Sequence, residues 1–237
     1  LFDSAYVEDG RVVDLAGGDH DAEILGSPRF AEEPPRLIFN GGLDRLEIPN
    51  VEMTELPRRA LTVEAWVMPD ESPQTGGVIA YARDIGEYEK GWLLECEEDQ
   101  FVFSVSTRGA FESLLAPALE AGKWTHVAGV FDGEKAWIYL NGALRSSREI
   151  PSGPIDYPSN APFLIGAARR DDAVLSFSGA VHEASVYDSA LTSETIRRHF
   201  ESKRALLIDP QIPLTLLDRW AFQAENMSGR TIANLGS

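Results

Sequence analysis

The sequence predicts an all-β chain, an antiparallel two-sheet sandwich with one short C-terminal helix. Three observations carry this. Short apolar runs recur along the whole chain with turn residues between them, which is the spacing of a sandwich or barrel. Within the runs, β-formers alternate with polar residues or run continuously over strand-sized lengths. Only one segment, around residue 195, shows helical spacing behind a capping residue.

Taken in order, Leu37-Ile38-Phe39, Asn40-Gly41-Gly42 and Leu46-Glu47-Ile48 read as a strand, a tight turn and a second strand. The run LTVEAWVMP (61–69) alternates and stops at Pro69. Gly76-Gly77 opens the next strand, GGVIAYAR. GWLLECEE (91–98) and QFVFSVST (100–107) form a hairpin around Asp99. WTHVAGVFDG (124–133) and KAWIYLNG (135–142) form another, with Asp132-Gly133 at its turn and Asn141-Gly142 opening the turn after it. Along the first of these strands Trp124, His126, Ala128 and Val130 face one way, and Thr125, Val127, Gly129 and Phe131 the other. Both faces are apolar, as in a central strand with cover on each side. Trp66, Trp124 and Trp137 are therefore expected in the core. PFLIGAA (162–168) and LSFSGAVHEASVYD (175–188) complete the strands. In the helix, Thr192 or Ser193 caps, and Leu191, Ile196 and Phe200 make the apolar stripe.

Residues 1–200 are read as one domain. Residues 201–219, with Pro210 and Pro213 and no alternation, read as a linker. In 220–237 the run Gly229-Arg230-Thr231-Ile232 repeats Gly10-Arg11-Val12-Val13 of the opening. That repetition suggests the first strand of a second, truncated module.

Composition narrows the function. The chain has 237 residues, 43% of them apolar, so a sizeable core is available. A net charge of −17 disfavours nucleic acid and anionic lipid as partners. No apolar run reaches the length of a membrane helix, so membrane insertion is not expected. Cys96 is the single cysteine, which precludes an internal disulfide, and its place in a strand-like run makes it a buried hydrophobe. The first residue is Leu1 and not Met, which suggests a processed or excised piece.

Four phrases, LTVEAWVMP, KWTHVAGVFDGEKAWIYLNG, FLIGA and FSGAVHEASVYDSALTSETI, occur in an order and spacing that carry a resemblance. Together with the opening VVDLAGGDHDAEILGSPRF and RLIFNGGLDRLEIP, they resemble the laminin G-like, concanavalin A-like jelly-roll domains of bacterial multidomain proteins. The resemblance covers roughly residues 1–200. EYEKGWLLE (87–95) is similar to a variant that accompanies secreted hydrolases. The resemblance implies a jelly roll, display outside the cell or in the periplasm, and contact with other domains of a parent chain. It also implies a Ca²⁺ ion at the sandwich rim, with Asp14 and Asp19 as ligands from the opening loop. The closing position where such domains often hold Asp carries His182 before Glu183, and His is a poor Ca²⁺ ligand. The competing reading of Asp14 and Asp19 is an Asx-turn loop.

No catalytic centre is expected. Glu95 and Glu97 share one face of a strand, as the acid pair of a glycanase does, but they lack the compact, aromatic-framed acidic motif. There is no Gly-x-Ser-x-Gly elbow, no His pair at metal-ligand spacing, and no Gly-rich loop leading into a helix. His126 reads as a hydrogen-bonded core histidine. For ligand binding, Tyr81, Tyr88, Trp92 and Tyr157 flank loops and are candidate stacking platforms. Arg83, Asp84 and Glu87 are candidate partners for sugar hydroxyls. The function expected is a non-catalytic binding or adhesion module for a glycan or protein ligand. The alternatives are a spacer packed on a neighbouring hydrolase domain and, third, a glycoside hydrolase.

Overall fold

Alternation of inward and outward side chains builds most of the chain into strands. The computed structural model describes residues 1–17, 20–85, 88–117 and 119–208. The strands β1 (Val7–Glu8), β2 (Arg11–Val12), β3 (Ala22–Leu25), β4 (Arg29–Glu32), β5 (Pro35–Asn40) and β6 (Arg45–Ile48) come first. They are followed by β7 (Leu61–Pro69), β8 (Gly76–Asp84), β9 (Glu89–Glu97), β10 (Gln100–Ser106) and β11 (Phe111–Pro117). Next are β12 (Thr125–Phe131), β13 (Lys135–Leu140) and β14 (Ala143–Glu149), then β15 (Phe163–Ile165), β16 (Ala167–Arg170), β17 (Ala173–Ser176) and β18 (Ser178–Tyr187). The helix α1 (Ser193–Leu207) is last.

Two sheets result. The larger runs β1-β2-β3-β6-β15-β8-β9-β10-β11, with the β16–β17 hairpin attached at β8. The smaller runs β14-β13-β12-β7-β18-β5-β4. Pairing is antiparallel except for single parallel bridges from β16 and β17 to β8. This is the two-sheet sandwich read from the sequence, and both long hairpins fall where the turn residues put them. Asn141 and Gly142, between β13 and β14, both have left-handed φ (52° and 73°), as a two-residue hairpin turn requires.

Between the sheets, Phe39, Trp92, Phe101, Phe103, Phe131 and Phe177 lose all solvent contact. Burying rings of this size contributes most of the driving force for closure, about 1.5–3 kcal/mol for each large apolar side chain. Gly129 in β12 has a packing reason: a Cβ there would lie 2.3 Å from the Phe103 ring of the facing sheet. The outer face of the smaller sheet is covered by α1. Ile196 packs on Ala128, Val130 and Tyr139, and the Phe200 ring stacks on Trp66 at 5.6 Å. The Thr192 side chain caps the helix by accepting from the Thr195 amide.

Three expectations change. The strands β5 and β6 do not form a hairpin but belong to opposite sheets. Asp44 accepts hydrogen bonds from the Ser27 and Asn40 amides and turns the chain across the gap, so Leu37, Phe39 and Leu46 all become buried. Trp124 and Trp137 are half-buried on the outer face and not in the core, because one narrow helix covers only part of that sheet. The helix runs through Leu207, which is itself buried, so residues 201–207 belong to it and not to a linker. The rest of the expected linker and the expected strand at 220–237 lie outside the described residues.

Candidate functional site: a groove at the sandwich rim

At one end of the larger sheet, three segments meet around a groove: the end of β8, the β16–β17 turn, and the loop leading into β15. The groove has a volume of about 210 Å³ and is lined by Arg83, Arg169, Asn160, Asp171 and Asp172 over a floor of Ala82, Ala161 and Pro162. A shallower depression of about 400 Å³ adjoins it and shares Asn160, Ala161, Pro162 and Arg169 with it.

Each wall is fixed by local chemistry. After Gly166 the chain crosses β8 at Gly77, where a Cβ would lie 2.2 Å from the Ala167 carbonyl carbon. The β16–β17 hairpin then lies on the outer face of the sheet, with Ala168 packed among Ala80, Ala82 and Leu93. Asp171 takes the left-handed conformation at the hairpin turn (φ 53°), and its amide donates to the Asp84 carbonyl at 2.5 Å. The loop before β15 is tied down twice. The Tyr157 hydroxyl donates to the Pro57 carbonyl at 2.6 Å and accepts from the Trp92 indole at 3.1 Å, and Lys90 pairs with Asp156 at 3.0 Å. Arg83 donates to the Asn160 side-chain oxygen at 3.0 Å across the groove.

Beside the groove lies an ionic cluster. The Arg170 guanidinium is 3.2 Å from Asp84, 3.2 Å from Glu95 and 3.8 Å from Glu97. Glu95 and Glu97 do share a face, as their spacing requires. Glu95 is 3% exposed, and its second oxygen, Oε2, is buried without a hydrogen-bond partner. Burial, reinforced by the charges of Glu97 and Asp84 against the pull of Arg170, pushes its carboxyl up to about 7.

The nominated aromatics do not form a platform. Tyr81 and Trp92 are core residues, 4% and 0% exposed. Strand alternation directs both inward, where each meets Phe163 edge to face. Tyr157 is half-buried and serves as the anchor described above. Tyr88 is half-exposed, with the Lys90 ammonium 5.0 Å from its ring centre. Of the polar partners, Arg83 lines the groove, Asp84 belongs to the cluster, and Glu87 lies outside the described residues. The sequence reading passed over Arg169-Arg170-Asp171-Asp172. The available signal was four charges in a row between two apolar strands, a turn in which both signs converge.

At the expected calcium loop, Asp14 Oδ1 accepts from the Ala16 amide at 2.9 Å, an Asx-turn. Asp21 accepts from the Asp14 amide, and His20 bridges Asp14 and Glu55. Asp19 lies outside the described residues. At the closing position, His182 is 1% exposed with Nδ1 2.5 Å from the Pro35 carbonyl, and Glu183 pairs with Lys203. Among the described residues no group of three or more His, Cys, Asp or Glu is placed to hold a metal ion. Cys96 is fully buried and burial pushes its thiol up, which leaves no nucleophile there.

The described helix is not long and apolar enough to cross a membrane. Comparison with known proteins agrees with the two-sheet architecture. Pappalysin-1 of Mus musculus is 26% identical over 214 residues, which span 81% of this chain and 13% of that protein. The binding domain of Paraclostridial Mosquitocidal Protein 1 superposes with a TM-score of 0.63 at 14% identity, over 83% of this chain and half (50%) of that one. Domain 4 of AbnA, an extracellular arabinanase from Geobacillus stearothermophilus solved with arabinotriose, superposes with a TM-score of 0.55 at 18% identity. That match covers 73% of this chain and 81% of that domain. The sequence pattern of the concanavalin A-like lectin/glucanases superfamily matches residues 40–197, from the end of β5 to the first turns of α1. The chain belongs to that superfamily.

Proposed function

We propose that this chain is a non-catalytic carbohydrate-binding module of a larger extracellular protein, and that its ligand lies in the rim groove. The observation that carries the reading is the groove lining. Guanidinium donors (Arg83, Arg169), an amide (Asn160) and carboxylate acceptors (Asp171, Asp172) converge over an apolar floor. Sugar hydroxyls both donate and accept, and a mixed set of this kind satisfies both roles. The sugar-bound arabinanase domain of the same fold supports the reading by analogy. Glu95, the one carboxyl here raised toward the range of a catalytic acid, is 3% exposed and held by Arg170, so it does not reach a ligand in the groove. A glycan array on the isolated chain tests the proposal. Arg169→Ala is expected to weaken any hit about tenfold, the worth of one charge-assisted hydrogen bond. An array without hits, or hits that Arg169→Ala and Arg83→Ala leave unchanged, would reject it.

One observation favours the second reading, a spacer packed on a neighbouring hydrolase domain. The rings of Tyr81, Trp92 and Tyr157 are committed to packing, which removes the aromatic platform many sugar sites use. Under that reading the array stays empty and the chain is protected only beside its parent domains.

A further inference from the structure

The groove wall carrying Arg169, Asp171 and Asp172 is the tip of the β16–β17 hairpin, and one residue of that hairpin, Arg170, ties it to the sheet. We propose that Glu95 acts as a proton-controlled latch for this hairpin, so that the groove wall is held when Glu95 carries its proton and loosens when the proton leaves. The inference rests on the reading of the groove as the binding site.

The geometry sets the direction. Glu95 projects from β9 onto the outer face, where Arg170 of β16, Asp84 of β8 and Glu97 of its own strand surround it. Its cross-strand neighbours are Gly77 on β8 and Val102 on β10, so neither places a charge against it there. The strand β17 carries no titratable side chain. One guanidinium thus serves three carboxylates, and Glu95 Oε2 sits in the closed structure with neither a hydrogen bond nor water-facing surface. An ionised carboxylate there is poorly solvated and next to two like charges. Lifting the hairpin gives Glu95 access to water and returns its carboxyl from about 7 toward the ordinary value of 4.5. The closed hairpin therefore holds the proton more tightly than the open one. Closure is fully favoured below about pH 4.5 and loses ground as pH rises toward 7. Glu95 and Arg170 are positioning residues of the groove and touch no ligand.

Amide hydrogen exchange on the intact chain tests this without any ligand. Rates are read as protection factors, so the intrinsic pH dependence of exchange cancels. The reporter is the Asp171 amide, which bonds the Asp84 carbonyl, and the control is the amides of β10 and β12. Protection at Asp171 is expected to fall about tenfold or more between pH 5 and pH 8, with the control strands unchanged. Glu95→Gln is expected to abolish the fall. Glu97→Gln removes one like charge and is expected to move the fall to lower pH, a shift that a purely structural role does not produce. Constant protection in the wild type, a fall that survives Glu95→Gln, or a fall shared by β10 and β12 each overturns the latch. If Glu95→Gln does not fold, an unmoved midpoint in Glu97→Gln overturns it instead. An empty glycan array rejects the groove as a sugar site and leaves this result standing, so the two failures are distinguishable.

Discussion

Glu64 on β7 shows how a single residue fastens an element. Its Oε1 accepts from His199 Nδ1 of α1 at 2.7 Å and from the Tyr187 hydroxyl at 3.0 Å, and its Oε2 is 3.3 Å from His126 Nε2. Burial by itself raises a carboxyl, but the hydrogen bonds and charges of the two histidines outweigh it and bring Glu64 down to about 2. Reciprocally, the hydrogen bond to Glu64 raises His199 above its ordinary 6.5. The depressed carboxylate contributes stability that is present above about pH 4.5 and lost as pH falls toward 2. The raised histidine contributes stability that is present below about pH 6.5 and lost as pH rises through its folded value. The pair is thus at full strength between those limits. Glu64→Ala is expected to cost about 3 kcal/mol or more, because it leaves His126 buried without its partner. Urea midpoints at pH 5.5 and pH 8.5 check both points: the loss should be larger at pH 5.5, and a pH-independent loss would remove the ionic account.

Among the elements, the β16–β17 hairpin depends on side chains missing from β8. It crosses β8 where Gly76 and Gly77 leave no room: a Cβ on Gly76 would lie 2.6 Å from the Ser176 carbonyl oxygen, and one on Gly77 2.2 Å from Ala167 backbone. The obstacle in both cases is backbone, which cannot rotate aside. Gly77→Ala is expected to displace the hairpin and cost about 1–3 kcal/mol, the usual range for overpacking. Thermal melting reads the cost, and loss of the Asp171 amide bond reads the displacement. A variant with wild-type melting and intact Asp171 protection would show that the crossing tolerates a methyl group. The helix makes the contrasting case. Its stripe of Ile196, Phe200 and Leu207 is buried against an outer sheet face, so it is a cover that docks on an existing sandwich.

On the scale of the molecule, the described residues place the core cluster between two sheets, with further cover from α1 on one outer face and from the β16–β17 hairpin on the other. The reading of 220–237 as the opening strand of a second module is tested by deletion. Removing 209–237 is expected to leave the melting temperature and the glycan-array profile of the chain unchanged within error, since α1 is already capped at Thr192 and packed through Leu207. Unfolding or aggregation of the shortened chain would assign those residues to the first domain.

The sequence by itself determined the central strands, because period-two alternation and turn residues act over a few neighbours and are visible in a row of letters, but it passed over the exposed edge strands β11 and β14, whose apolar pattern is weak. It placed the hairpins around Asp99 and at Asp132-Gly133, the two covered faces of β12, and the shared face of Glu95 and Glu97. It missed that β5 and β6 part into opposite sheets, because an Asn-Gly-Gly turn reads the same whether the chain folds back or crosses over. It also assigned the wrong aromatics to the surface. Full burial of Tyr81 and Trp92, and only partial burial of Tyr157, Trp124 and Trp137, depend on how wide a face the facing sheet or the single helix covers, which no local pattern records. The groove was the least legible of all. Arg83 lies far in sequence from Asn160 and Arg169, and only the crossing of the chain over Gly77 and the anchoring of Tyr157 on Pro57 bring them together. Sequence separation carries no information about such convergence until the long-range pairing of the sheets has closed it.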